Sequence, residues 1–256
     1  MSERTSYEPG TPSWVDLGSP DTAASGVFYG GLFGWTAEID PRPEAGGYGM
    51  FKLRDQLVAG LGPQMNMEMP PFWAVYISVA DADATVAAAT AAGGQVIAGP
   101  MDVFDAGRMA VLMDPLGTFF SIWQADQHIG AQVVNEPGSF TWNELATNDL
   151  EASRAFYTSV FGWGVDHDAS GPDGAAFTVD GNIVCGSHVA GEGEFPAWSV
   201  WFSVADCDAT AAKVTELGGS VFMPPSAMSF GRGSVVADPA GAVFGLAAVN
   251  DGVETA

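Results

Sequence analysis

The chain has 256 residues, which is enough for one large domain or two modest ones. Hydrophobic residues make up 47% of it and charged residues 15%, so the disordered, collagen-like and coiled-coil classes are excluded. Its 8 Lys and Arg stand against 31 Asp and Glu, and the formal net charge is −23. Such an acidic surface repels phosphate groups, so we expect no nucleic-acid and no membrane partner.

The sequence predicts neither a targeting segment nor a membrane span. The N-terminal residues are polar, and the longest uncharged stretch, 84–101, is interrupted by glycines and by Pro100. Cys185 and Cys207 are too few for a disulfide framework and are typical of a reducing compartment. We therefore predict a cytoplasmic protein in which both cysteines are packing residues.

An internal repeat organises the chain. Several short runs of the N-terminal half recur in the same order in the C-terminal half. They are Trp14-Val15-Asp16-Leu17 with Trp142-Asn143-Glu144-Leu145, Phe33-Gly34-Trp35 with Phe161-Gly162-Trp163, and Asp114-Pro115-Leu116-Gly117 with Asp238-Pro239-Ala240-Gly241. Two ordered copies of these elements indicate a duplicated module, and the segment 125–137 joins the copies.

Each copy is predicted to alternate strands and helices. The first strand, 14–17, is followed by Ser19-Pro20-Asp21, which supplies an N-cap, a proline at the first helical position and an acid for the positive helix end. Gly34 closes this helix. A second helix is predicted over 81–92, with its copy over 206–217. The strands that follow it are predicted at 95–98, 109–113 and 119–123.

These motifs resemble the vicinal oxygen chelate family, which includes glyoxalases, bleomycin-resistance proteins and extradiol dioxygenases. The resemblance covers nearly the whole chain and is carried by the helix starts at Asp21 and Asp149, the Phe-Tyr pairs, the Phe-Gly-Trp runs and the Asp-Pro-x-Gly turns. The tandem layout is similar to that of actinobacterial two-module members. The resemblance implies an α+β fold of two βαβββ-type modules, at 8–126 and 127–250, whose mixed sheets curl into cups. We expect the modules to pack as a pseudo-dimer in one chain, which is then a monomer or a weak homodimer.

Metal-using members of the family place one ligand on each of three strands of a module. In this sequence the first-strand places hold Trp14 and Trp142, the middle-strand places Ala74 and Ser199, and the last-strand places Ser121 and Gly245. None of these is a usual ligand of a divalent ion. The resemblance therefore implies cups without the family's metal and without a cofactor.

Asp16 and Glu144 lie two residues beyond the first-strand places and are the candidate catalytic residues. Because side chains alternate along a strand, they share the cup faces with Trp14 and Trp142. A carboxylate in an apolar cup is paired or shifted in pKa, and such groups cluster at functional sites. Three interpretations stay open: a ligand-facing polar group, a metal ligand, or a structural hydrogen-bonding residue.

The histidines and two matched arginines are assigned other roles. His128, in the connector, is interpreted as a surface or interface residue, while His167 falls in a loop and His188 near the end of a strand. Arg108 and Arg232 follow a glycine at the same place in both copies. We expect these scarce cations to pair with carboxylates and hold a turn.

Alternation also places aromatic side chains on the cup faces beside small residues, which is typical of pockets for flat apolar ligands. The predicted ligand-binding residues are Trp14, Tyr76, Phe119, Ser121, Trp123, Trp142 and Trp201. We predict a protein of the sequestration or resistance type that binds a small hydrophobic or aromatic molecule in a metal-free cup.

An enzyme is the alternative prediction. It would be a glyoxalase-like lyase or isomerase, or a dioxygenase/hydroxylase, with a divalent metal ion on Asp16 and Glu144 and help from His128. A metal-free enzyme with one carboxylate as general base lies between the two predictions. The sequence does not decide whether the protein is an enzyme.

Overall fold

The computed structural model describes residues 2–166 and 174–250, and its elements follow the duplicated order. The first half contains β1 (Ser2–Glu3), β2 (Pro12–Ser19), α1 (Thr22–Phe33), β3 (Thr36–Ile39), β4 (Gly49–Leu53), β5 (Gln56–Pro63), β6 (Phe72–Ser78), α2 (Ala82–Ala91), β7 (Gln95–Val103), β8 (Gly107–Met113) and β9 (Phe119–Ala125). The second half contains β10 (Val133–Val134), β11 (Phe140–Thr147), α3 (Leu150–Phe161), β12 (Gly164–Asp166), β13 (Gly174–Val179), β14 (Asn182–Val189), β15 (Ala197–Ser203), α4 (Cys207–Glu216), β16 (Ser220–Met228), β17 (Gly231–Ala237) and β18 (Val243–Val249).

Each half forms one eight-stranded mixed sheet. The strand order is β3-β4-β5-β2-β6-β9-β8-β7 in the first sheet and β12-β13-β14-β11-β15-β18-β17-β16 in the second. At the centre of the first sheet, β2 runs antiparallel to β6, while β2 and β6 run parallel to β5 and β9. The second sheet has the same pairing. Each sheet is thus two βαβββ units side by side, so each predicted module consists of two such units. This confirms the predicted α+β fold of two modules; the module limits at 126 and 127 stay a prediction.

The first helix of the first half begins differently from the prediction made for Ser19 and Pro20, whereas α3 has the predicted start, with Asp149 as its N-cap. Asp21 is the N-cap of α1, and its side chain accepts a hydrogen bond from the Ala24 N–H at 2.9 Å. The Ser19 hydroxyl instead accepts from the Asp21 N–H at 3.1 Å. The expectation that Pro20 opens the helix is wrong, because the chain is still extended at Asp21, with φ −143°. Gly34 ends α1 in the left-handed conformation, as predicted, with φ 75°.

The second helices, α2 and α4, lie within one residue of their predicted limits at each end. The matched arginines fasten the sheets to these helices. Arg108 pairs with Asp83 at 2.8 Å and with Asp102 at 2.7 Å, and Arg232 pairs with Asp208. The expected pairing of both arginines with carboxylates is confirmed, although Asp83 and Asp208 belong to first helical turns.

The two halves pack against each other through the inner faces of their sheets. Trp73 of β6 lies edge-on to Phe202 of β15, with ring centroids 5.0 Å apart. Tyr29 of α1 lies 5.7 Å from Phe244 of β18. Since successive side chains of a strand point to opposite faces, Tyr76 and Trp201 point away from this interface. The predicted cup faces are therefore the two outer faces of the molecule.

The repeated motifs connect the two halves. The Tyr29 hydroxyl donates to Asp238 Oδ2 at 3.2 Å and accepts from Trp73 Nε1 at 3.1 Å. In the second half, the Tyr157 hydroxyl donates to Asp114 Oδ2 of the first half at 3.2 Å. Each Asp-Pro-x-Gly turn therefore holds the Phe-Tyr helix of the other half. The motif residues that carry the family resemblance are structural in this protein.

We expect Tyr29→Phe to lower the free energy of unfolding by about 1–3 kcal/mol, because it leaves the buried Trp73 N–H without its acceptor. Tyr157→Phe should lower it by a similar amount, since the two sites are equivalent. Urea unfolding followed by circular dichroism measures both changes. Two variants as stable as the wild type would show that these hydrogen bonds do not stabilise the contact between the halves.

The cysteines behave as predicted. Cys185 and Cys207 are both free and buried, so they are packing residues. His167 lies outside the described residues. Within the described part of the chain, the helices are all too short or too polar to cross a membrane.

Candidate functional site

The first cup is the outer face of the first sheet around Trp14, Asp16 and Tyr76. The two edges of this sheet come close together, which shows that the sheet is curled. Arg42 follows the edge strand β3, Phe104 follows the opposite edge strand β7, and the guanidinium lies 4.2 Å from the ring centroid. Trp14 is 3% exposed and Tyr76 8%, although both face away from the second half. The curl therefore closes this cup over its own aromatic side chains.

Asp16 is held by two tyrosine hydroxyls in the first cup. Its Oδ2 atom accepts from Tyr76 at 2.9 Å and from Tyr48 at 3.2 Å. The Tyr48 hydroxyl also accepts from Trp14 Nε1 at 3.2 Å, and it lies over Gly60, where any side chain would collide with it. Burial raises the pKa of Asp16 to about 6, although the two tyrosine bonds oppose the rise. Asp16 therefore titrates close to neutral pH.

The raised pKa of Asp16 predicts a pH dependence of stability. Between pH 4 and its folded-state pKa of about 6, the folded protein holds a proton that the unfolded chain has lost, so the free energy of unfolding falls as the pH rises. Asp16→Asn removes this titration and keeps an acceptor for Tyr76. We expect the variant to gain stability relative to the wild type across this range, measured by urea unfolding at a series of pH values. Parallel profiles of the two proteins would contradict the assignment.

His128 covers the first cup. Its ring lies edge-on to Trp14 at 4.5 Å and against Trp123 at 5.6 Å, and Trp123 Nε1 donates to the His128 carbonyl at 2.7 Å. The His128 N–H donates to the Ala106 carbonyl at 3.0 Å, which fixes the connector across the sheet. Burial lowers the pKa of His128 to about 4, so the imidazole is neutral at pH 7. His128, interpreted as a surface or interface residue, is only partly exposed, because the connector folds back and packs its ring against Trp14 and Trp123.

The second cup is the outer face of the second sheet around Trp142, Glu144 and Trp201. Glu144 Oε2 accepts from Trp142 Nε1 at 2.6 Å, and Oε1 lies 3.2 Å from His188 Nδ1. The Ser199 hydroxyl donates to the Glu144 carbonyl at 3.2 Å and accepts from Trp201 Nε1 at 3.2 Å. One network therefore joins both indoles to the Glu144–His188 pair.

His188 lies between two carboxylates. Its Nε2 atom is 3.1 Å from both carboxylate oxygens of Glu194, which belongs to the loop between β14 and β15. Glu194 is fixed in turn by the Gly191 N–H, which donates to Oε2 at 2.9 Å. The pKa of His188 is raised to about 9, chiefly by the hydrogen bond to Glu144, while partial burial acts in the opposite direction. The imidazole is therefore protonated at neutral pH.

Strand register shows that several positions of the second cup carry much smaller side chains than their counterparts in the first. Asp16 aligns with Gly60 across β2 and β5, and Glu144 aligns with Gly186 across β11 and β14, which fixes the correspondence between the sheets. The matched positions are Tyr48 with Gly174, Met50 with Ala176, Gly62 with His188, Met109 with Gly233, and Trp123 with Ala247. Four large side chains of the first cup are thus Gly or Ala in the second. The fifth pair differs in the opposite direction, because Gly62 of the first cup corresponds to the larger His188 of the second.

The residues present do not fit the metal ion of the enzyme prediction. The strands with the family's ligand places are neighbours in each sheet, but these places hold Trp, Ala, Ser and Gly. No group of three or more His, Cys, Asp or Glu side chains could hold a metal ion within residues 2–166 and 174–250. Asp16 and Glu144 lie on outer faces of different sheets, so they do not form one site as that prediction requires.

The predicted ligand-binding residues differ in accessibility. In the first cup Ser121 is 3% and Trp123 5% exposed, whereas Phe119, at the start of β9, is 43% exposed. In the second cup, Trp142 and Trp201 are both partly exposed. All of them lie on the outer faces given by strand alternation. Their roles in ligand binding stay predictions.

Three residues of the two networks were missed by the sequence analysis. Tyr48 follows a loop with a short 3-10 helix, and its counterpart in the repeat is Gly174, so the repeat does not indicate an aromatic residue there. Glu194 also lies in a loop, so no periodicity indicates where it points. His188 had one available signal: it lies two residues beyond Gly186 on a strand, so alternation puts it on the same face. That signal becomes useful only when β14 is known to pair with β11.

Two family models match the two halves of the chain. Residues 14–123 match a model described as a glyoxalase-like domain, and residues 132–246 match the glyoxalase/bleomycin resistance protein/dioxygenase superfamily. Together with the relatives given next, they show that the chain belongs to this superfamily, the vicinal oxygen chelate family.

Relatives cover nearly the whole chain. The anthracycline biosynthesis protein DnrV of Streptomyces peucetius is 40% identical, over 98% of this chain and 98% of its own. A Mycobacterium tuberculosis protein named "Putative glyoxylase CFP32" is 40% identical, over 96% of this chain and 97% of its own. Among solved structures, the Mn(II)-bound glyoxalase from Novosphingobium aromaticivorans has a TM-score of 0.67 and 17% identity, over 93% of this chain and 81% of that chain. The last likeness shows the fold alone.

Proposed function

We propose that the protein binds a small aromatic molecule in the second cup, against Trp142 and Trp201, without a metal ion. One observation carries this proposal: both indoles stay partly exposed, next to positions where the large side chains of the first cup are reduced to Gly or Ala. Aromatic walls beside small residues are typical of sites for flat apolar ligands. The activity is sequestration of the ligand, as in the resistance proteins of the family.

The second cup offers a stacking surface. A side chain at Gly245 would collide with the Trp201 ring, so that indole lies close against the sheet backbone. Its partly exposed surface is then available to a ligand. The Glu144–His188 pair beside it supplies an acceptor and a donor for hydroxyl or carbonyl groups on the ligand. A polycyclic ligand with oxygen substituents fits both features.

The name of a relative supports this ligand class. DnrV is named as an anthracycline biosynthesis protein, and anthracyclines are polycyclic aromatic compounds. In our proposal the first cup does not take the ligand, because Trp14, Tyr76 and Trp123 already fill it and His128 covers it. The predicted lining residues of that cup then serve packing.

Titration of the purified protein with tricyclic aromatic compounds tests the proposal. We expect saturable binding of one ligand per chain, observed by calorimetry and by quenching of indole fluorescence. Prior treatment with a chelator should leave the affinity unchanged, and elemental analysis should find no stoichiometric Mn, Fe, Co, Ni or Zn. Absence of binding, or binding that chelation abolishes and added metal restores, would overturn the proposal and favour the metal-dependent enzyme.

A further inference from the structure

The charges around the second cup are unbalanced. Glu144 of β11 and Glu194 of the loop between β14 and β15 place two carboxylates around the imidazolium of His188. The side chains of Glu144, His188 and Glu194 are 20%, 36% and 43% exposed, so a ligand in the cup can reach them. One negative charge therefore remains beside the two indoles.

In the described residues, the Lys and Arg side chains of the second half make their ion pairs with carboxylates other than Glu144 and Glu194. Arg154 bonds Glu151 and also donates to the Gly174 carbonyl, Lys213 bonds Glu216, and Arg232 bonds Asp208. The net charge of the whole chain, −23, adds a field of the same sign. A ligand with a carboxylate or phosphate group would be repelled from this cup.

The aromatic residues favour a cation as well. The face of an indole attracts an ammonium group within about 6 Å of the ring centroid, and Trp is the best of the aromatic residues for this contact. Trp142 donates its N–H to Glu144 at 2.6 Å, so its ring lies directly beside a carboxylate. An ammonium group bound at Glu144 would lie next to this indole at the same time.

We propose that the preferred ligand of the second cup is an aromatic molecule that carries a protonated amine. The ring system stacks on Trp142 and Trp201, the ammonium group donates to the Glu144 carboxylate, and Glu194, on the other side of His188, adds negative charge that favours a cation. This inference rests on the proposed function and names the ligand class of the same site. Glu194 is then a specificity-determining residue, and the loop between β14 and β15 selects the charge of the ligand.

Three anthracenes that differ in one substituent test the inference: an aminomethyl, a hydroxymethyl and a carboxyl derivative. At neutral pH they are a cation, a neutral molecule and an anion with the same rings. We expect the amine to bind about tenfold more tightly than the alcohol, because it adds one partly exposed ion pair and one cation–π contact. The acid should bind more weakly than the alcohol. Added salt should weaken the binding of the amine and leave that of the alcohol unchanged.

The matched variants are Glu194→Gln and Glu192→Gln. Both remove one charge from the same loop, but only Glu194 contacts His188 in the structure. We expect Glu194→Gln to lower the affinity for the amine about tenfold and to leave the affinity for the alcohol unchanged. Glu192→Gln should change neither affinity by more than about twofold.

The outcomes separate the two proposals. If all three anthracenes bind equally, or if the two variants act alike, this inference is overturned while the proposed function stands. Preferential binding of the acid would also overturn it. If none of the three binds, the proposed function fails and this inference fails with it.

Discussion

Replacing Trp142 and Trp201 together with alanine should weaken the binding of an aromatic ligand by about 1000-fold. Truncation of each central aromatic contact costs about 2 kcal/mol, and every 1.4 kcal/mol is a tenfold change in affinity. Each single variant should bind the ligand about 30-fold more weakly than the wild type. Calorimetric titration measures the losses, and circular dichroism checks that the variants remain folded.

The first cup supplies the matched control for this experiment. Trp14 occupies the position that Trp142 occupies in the repeat, but it is buried under His128. We expect Trp14→Phe to change the affinity by no more than about twofold, because the ligand does not enter that cup. If Trp14→Phe weakened binding as much as Trp142→Ala, the ligand site would lie in the first cup and the assignment between the cups would be reversed.

Trp163→Ala should lower the free energy of unfolding by about 3–5 kcal/mol, which is the usual cost of truncating a fully buried aromatic side chain. Trp163 is 1% exposed, its ring centroid lies 4.7 Å from that of Phe177 and 5.0 Å from that of Phe161, and its Nε1 donates to the Gly10 carbonyl at 2.8 Å. The substitution removes packing and also leaves a buried carbonyl of the first half without its donor. Urea unfolding followed by circular dichroism measures the loss.

Two further variants separate packing from hydrogen bonding at Trp163. Trp163→Phe keeps most of the ring and loses the hydrogen bond to Gly10. We expect it to lower the free energy of unfolding by less than Trp163→Ala does, with about 1 kcal/mol of the loss due to the hydrogen bond. Trp142→Ala removes an indole from the outer face and should cost less than about 2 kcal/mol. A Trp163→Ala protein as stable as Trp142→Ala would contradict the view that the Phe-Gly-Trp motif holds the two halves together.

Interactions between neighbours in the chain make much of the fold predictable. The ends of α2 and α4 follow from capping residues and glycines within a few positions. The helix start at Asp21 is misjudged by the same reasoning, because Ser19 and Asp21 are both good caps and only the tertiary position of Ser19 decides between them. Alternation places Trp142 and Glu144 on one face, and their hydrogen bond confirms it.

The candidate site depends more on pairing between distant strands. Tyr48 reaches Asp16 because β4 and β5 bring it over Gly60, and His188 reaches Glu144 because β14 lies beside β11. The exchange of Tyr48 and Gly62 for Gly174 and His188 is invisible until the registers are known.

The sequence by itself determined the duplicated order, the family, the strand faces and the replacement of the usual metal ligands, because each depends on residue types at fixed local spacing. The tertiary structure decided that Asp16 and Glu144 lie on opposite outer faces, that His128 covers the first cup, and that four large side chains of the first cup correspond to Gly or Ala in the second. These features depend on which strands pair and how far the sheet curls. Such contacts join residues far apart in the chain, and no local pattern encodes them.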